Sequence, residues 1–236
     1  MMLRKSVLAT GVALVLCSGV SWGFGLPKMP GVPAAPAADN GGVTADAVDQ
    51  FIVAGQASNA AIGAAREMLA AALSTKEERA KLISQREQLQ KGLDAKDKKA
   101  QEEARAIIAS QDAKLKTDLA DQQKLDSLKS LSADQRKAVA NSALNLGYSI
   151  LLQKEQVAVG QGMISQIASN PRLATKLPAI KDTVAAMASN LSGTAGYLTS
   201  VPKLFSALGV QAKLPTSKDE KPADATANLA DVFAEK

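Results

Sequence analysis

The chain has 236 residues, 46% of them apolar but only 3% aromatic, and 28 Lys and Arg stand against 23 Asp and Glu for a formal charge of +5. There is no histidine and a single cysteine, Cys17, which excludes imidazole-based triads and His-ligated metals and, once an N-terminal leader is lost, thiol chemistry and disulfides as well. The positive charge is too small, and too little interleaved with aromatic rings, for a nucleic-acid surface.

Arg4 and Lys5, followed by the apolar run from Ser6 to Leu16, read as a secretory leader, because the run is too short to span a bilayer. Ser21-Trp22-Gly23 puts small residues at the recognition positions of a signal peptidase, so residues 1–23 are expected to be a signal peptide cleaved after Gly23. Loss of Arg4 and Lys5 lowers the formal charge from +5 to +3. The expected destination is the periplasm, with secretion as an alternative. A lipid anchor on Cys17 is a second alternative, opposed by Leu16 where a lipoprotein signal needs a small residue.

Residues 24–43 carry Pro27, Pro30, Pro33 and Pro36 at every third position, the spacing of an extended flexible arm. Helical periodicity begins after Thr44, an N-cap candidate with Asp46 in the first turn. Val48, Phe51, Ile52, Ile62, Ala65, Leu69 and Leu73 recur at helical spacing. Ser74-Thr75-Lys76-Glu77 reads as a capping box centred on Ser74, opening a second helix without proline from Lys76 to Leu131. Its apolar stripe is narrow, and a kink is expected between Gly92 and Asp97. Ser132 and Gln135 form another capping box, and the helix that follows is apolar over much of its circumference as far as Ser169.

Asn170-Pro171 ends that helix and starts the next. Leu173, Leu177, Ile180, Val184, Met187 and Leu191 step by heptads, with a split expected at Pro178 and a break at Ser192-Gly193-Thr194. A last stripe from Tyr197 to Leu208 restarts at Pro202 and closes at Gly209. The fold class is all-α, with no stretch alternating at period two: an elongated helical bundle, with a long antiparallel hairpin over about 76–169 and shorter helices over 171–208. Residues 44–209 form one domain, and 210–236 are expected to be a disordered polar tail with a short terminal helix near 228–234.

Charge is segregated. Lys76 to Arg136 holds 14 basic and 12 acidic residues, whereas Lys137 to Gln211 holds 6 and 2. The acid pairs Glu77/Glu78 and Glu102/Glu103 lie in the first block, where adjacent positions on a solvated helix point apart and cannot share a proton. No GxSxG elbow or phosphate loop occurs. No catalytic residue, metal site or cofactor is expected.

Gly160-Gln161-Gly162 reads as tight packing of small residues. The expected role is that of an exported, non-enzymatic cell-envelope protein, with a helical hairpin that docks to an envelope partner or to a second copy. The alternative is a carrier of a lipid or other apolar molecule, in a pocket lined by Tyr148, Met163, Met187, Tyr197 and Phe205.

Overall fold

The computed structural model describes residues 43–94, 97–217, 220 and 229–233. The expected signal peptide and nearly all of the Pro-rich arm lie outside them. Every regular element among the described residues is helical, so the all-α class is what the structure shows.

Thr44 caps α1 (Ala45–Ala72) through its Oγ1, which accepts from the N–H of Ala47 at 3.2 Å. Val43 precedes the cap; its side chain is buried and its N–H donates to Gln166 Oε1. The cap of α2 (Lys76–Asp94) is Thr75, one residue later than expected. Glu78 Oε2 accepts from the Thr75 N–H, while Thr75 Oγ1 accepts from the Glu78 N–H. Ser74 turns back instead and donates its hydroxyl to Ala70 O, closing the end of α1. Consecutive Ser-x-x-Glu and Thr-x-x-Glu patterns make the choice degenerate in sequence.

The long charged helix is not continuous. Asp97 caps α3 (Lys98–Ala120) by accepting from Lys99 N–H, and Asp121 caps α4 (Gln122–Ser127) in the same way through Gln123. Aspartate competes for nearby backbone N–H groups and so favours caps over helix interiors. A 3₁₀ turn, Leu128–Ser130, leads to the Ser132/Gln135 capping box of α5 (Ala133–Ala168), which forms as expected.

The expected hairpin over 76–169 is therefore corrected. The antiparallel pair is α2 with α3: Gln111 Nε2 donates to Gln85 Oε1, and a β-carbon at Gly92 would stand 3.0 Å from that of Ala104. The 36-residue α5 packs instead on α1 and on α6 (Leu177–Leu198), because its buried surface is too broad for one neighbour. Contacts of Gln153 with Asn59 and of Gly160 with Phe51 set α5 antiparallel to α1. Gly55 against Thr183 and Asn59 against Asn190 set α6 parallel to α1.

Asn170 caps a 3₁₀ turn, Pro171–Lys176, and Pro178 sits in the first turn of α6. The expected break at Ser192-Gly193-Thr194 does not occur. The Thr194 hydroxyl folds back onto Asn190 O, and Gly193 and Gly196 admit α3. Their β-carbons would lie 3.0 Å from Asp112 Oδ2 and 3.2 Å from Lys116 Cε. The two glycines are the interface with the hairpin and leave the helix whole.

Pro202 starts α7 (Val201–Leu208), which ends at Gly209 with φ 67°, a left-handed conformation that glycine adopts without cost. The near part of the expected tail is not free. Val210, Ala212 and Leu214 pack against the core, and Leu214 and Pro215 close over Gly147. A final turn, α8 (Leu229–Val232), buries Leu229, accepts from Gln135 Nε2 through Val232 O and sets Phe233 under the Arg79 guanidinium.

Two apolar clusters result. One joins Ile62 to Leu73 of α1 with Leu115, Leu119, Leu125, Leu128, the first half of α5, and Tyr197 to Leu208. The other joins Val43, Val48 and Phe51 with Met163, Ile167, Leu173, Ile180, Val184 and Met187.

Candidate functional site

A layer of amides and hydroxyls separates the two apolar clusters. Asn59 Oδ1 on α1 accepts from Gln153 Nε2 on α5 at 2.6 Å and from Asn190 Nδ2 on α6 at 2.8 Å, tying the three bundle helices at one atom. Arg66, two turns further along α1, donates through Nη1 to Asn190 Oδ1 at 3.4 Å. Along α5 the polar stripe continues as Ser142, Asn145, Ser149, Gln153 and Gln156, every one of them buried. The spacing of 3, 4, 4 and 3 residues keeps them on one face. Ser58 Oγ, both amide atoms of Asn145, Ser149 Oγ, Gln153 Oε1 and Gln156 Oε1 have no hydrogen-bond partner among the described residues.

Charge gathers at one end of this layer. Arg66 Nε lies 2.9 Å from Asp112 Oδ1, an ion pair without the alignment of a straight hydrogen bond. It links α1 to the hairpin. Burial raises the pKa of Asp112, and Arg66 opposes that rise. Burial likewise raises Glu67, opposed by Arg86, whose Nε stands 3.4 Å away on α2, and by Arg66. The Tyr197 hydroxyl is raised above its ordinary value by burial and by the neighbouring Asp112 carboxylate.

This arrangement can hold the register of the three helices. The two carboxylates at this end of the layer, Asp112 and Glu67, each face an arginine, Arg66 and Arg86. No group of three or more potential metal-ligating side chains comes together among the described residues. Burying a polar group without a partner costs about 1–3 kcal/mol, so sliding any of these helices by one turn would break the Asn59 hub and is disfavoured.

The five residues expected to line one pocket are not brought together. Met163 and Met187 belong to one apolar cluster, whereas Tyr197 and Phe205 belong to the other across the polar layer. Tyr148 is half-buried. Sequence reading missed the polar layer because α5 reads as apolar on most of its surface. The signal that could have found it is the 3-4-4-3 run of Ser, Asn and Gln.

A shallow cavity of about 260 Å³ opens elsewhere, between the first turns of α5 and the end of α7. Ala140, Leu144, Leu208 and Val210 give it an apolar floor, and Arg136, Lys137 and Asn141 its polar rim. No described helix is long and apolar enough to cross a membrane. Neither the protein-family models, nor the curated proteins, nor the solved structures contain a match to this chain.

Proposed function

We propose that this is an exported, non-enzymatic interaction module whose contact element is the outer part of the α2–α3 hairpin. One observation carries the reading. Between Lys76 and Ser110, only Leu89 and Ala104 are buried among the residues whose burial is described, while Ile83 and Ile107 are each 39% exposed. Residues 115, 119, 125 and 128 of the same charged block sit in the core, so the hairpin is anchored at its base. An anchored, solvated helix pair with exposed isoleucines suits a helical partner. Export follows from the leader-like first 23 residues.

The test is hydrogen exchange, read over 80–110, on the mature protein alone at rising concentration and then with an envelope extract. Exchange that slows on association, and stays fast in an Ile83→Gln/Ile107→Gln variant with an unchanged thermal melt, supports the module. Slow exchange over 80–110 in the isolated monomer, equal to that of α5, would refute it. Cell fractionation tests export separately.

A further inference from the structure

The cavity between α5 and α7 combines an apolar floor with two cations that have no ion-pair partner among the described residues. Its lining includes no acid. The side chains of Arg136, Lys137 and Asn141 make no ion pair or hydrogen bond with any described residue. The two cations also sit within a turn and a half of the N-terminus of α5, where the helix dipole is positive and favours anions. Arg136 faces the end of α7: its Nη1 lies 3.8 Å from where a β-carbon on Gly209 would stand. It gains little there, because the carbonyls of Ser206 and Phe205 already accept from the N–H groups of Gly209 and Val210.

We infer that this cavity binds a small anionic amphiphile, a single aliphatic chain ending in a carboxylate. The head group would lie between Arg136 and Lys137, with Asn141 as an additional donor. The chain would lie along Ala140, Leu144, Leu208 and Val210, replacing water on their exposed parts. A volume of about 260 Å³ is below the roughly 300–1,000 Å³ of sites for drug-sized ligands. One short chain fits it and a two-chain lipid does not. The site is distinct from the residues first expected to line an apolar pocket, and it does not involve the hairpin.

The experiment is equilibrium dialysis of the full mature chain against decanoate below its micellar concentration. Backbone amide shifts of residues 136–144 and 207–210 are followed by NMR. Saturable binding of one decanoate per chain, with shifts confined to those residues, is expected. Arg136→Gln/Lys137→Gln should weaken it by about tenfold or more, and Arg136→Lys/Lys137→Arg should largely restore it. Leu144→Gln, at a partly buried position at the edge of the core, should weaken it without touching the charge. Decanol and decyltrimethylammonium should not compete. Absence of saturable binding, equal binding of decanol, or undiminished binding by the Gln/Gln variant with a wild-type melt would each overturn the assignment.

Discussion

The ring of Phe51 occupies the place a side chain at residue 160 would need. A β-carbon on Gly160 would stand 2.6 Å from Phe51 Cζ and 2.4 Å from Val184 Cγ2. Three bundle helices meet there at the distance one missing side chain permits. Gly162, two residues on, has nothing within 4 Å of a β-carbon. The pair therefore has opposite roles, although both glycines were expected to serve tight packing.

Gly160→Ala should destabilise the protein by about 1–3 kcal/mol, the cost of overpacking a filled core. Gly162→Ala should stabilise it by roughly 0.5–1 kcal/mol, since alanine is the better helix former and meets no clash. Urea midpoints at constant slope decide both signs.

Arg66 and Asp112 form a nearly buried pair between α1 and the hairpin. Arg66→Met should cost about 3–5 kcal/mol, the usual loss when one buried partner is removed. Arg66→Met/Asp112→Leu should recover much of it. The pH dependence has a definite sign. Asp112 has a raised folded pKa, so its contribution is complete below the ordinary value of 3.8 and is lost as pH rises through the folded pKa. Without Arg66 the pKa rises further. The gap between wild type and Arg66→Met should therefore narrow as pH falls from 7 to 4 in denaturation titrations, and a gap that widens would contradict the pairing.

Thr75→Ala should destabilise by about 0.5–2 kcal/mol, whereas Ser74→Ala should cost less, because Thr75 caps α2. The Thr75 N–H holds the Glu78 carboxyl below its ordinary pKa, with smaller contributions from Lys114 and Lys124. This contribution is present above 4.5 and is lost as pH falls through the folded value. The acid limb of a stability–pH curve should accordingly flatten in Glu78→Gln.

Asn59→Leu should cost about 1–3 kcal/mol, because it strands the amide of buried Gln153 and takes a partner from half-buried Asn190. Asn59→Leu/Gln153→Leu/Asn190→Leu removes all three groups together and should recover much of that loss, since no stranded amide remains. If the layer fixes register, the triple variant should also broaden the amide spectrum of α5 and α6 or change the oligomeric state by sedimentation.

Local patterns in the sequence determined most helix boundaries. Thr44, Ser132 and Asn170 cap where they read as caps, and Pro171, Pro178, Pro202 and Gly209 start or stop segments, because these signals act over three or four residues. Local signals could not choose between Ser74 and Thr75, nor show that Asp121 would interrupt the charged helix, although the poor helix formers from Gly92 to Asp97 did mark its first interruption. Only the tertiary structure decided pairing. Gly193 reads as a breaker until α3 is seen against it, and α5 reads as the return strand of a hairpin until its two neighbours are known. The polar layer and the cation-rimmed cavity belong to the same category. Asn59, Gln153 and Asn190 are far apart in the chain, as are Arg136 and Gly209, so their meeting is set by the packing of α1, α5, α6 and α7, which no single helical stripe encodes.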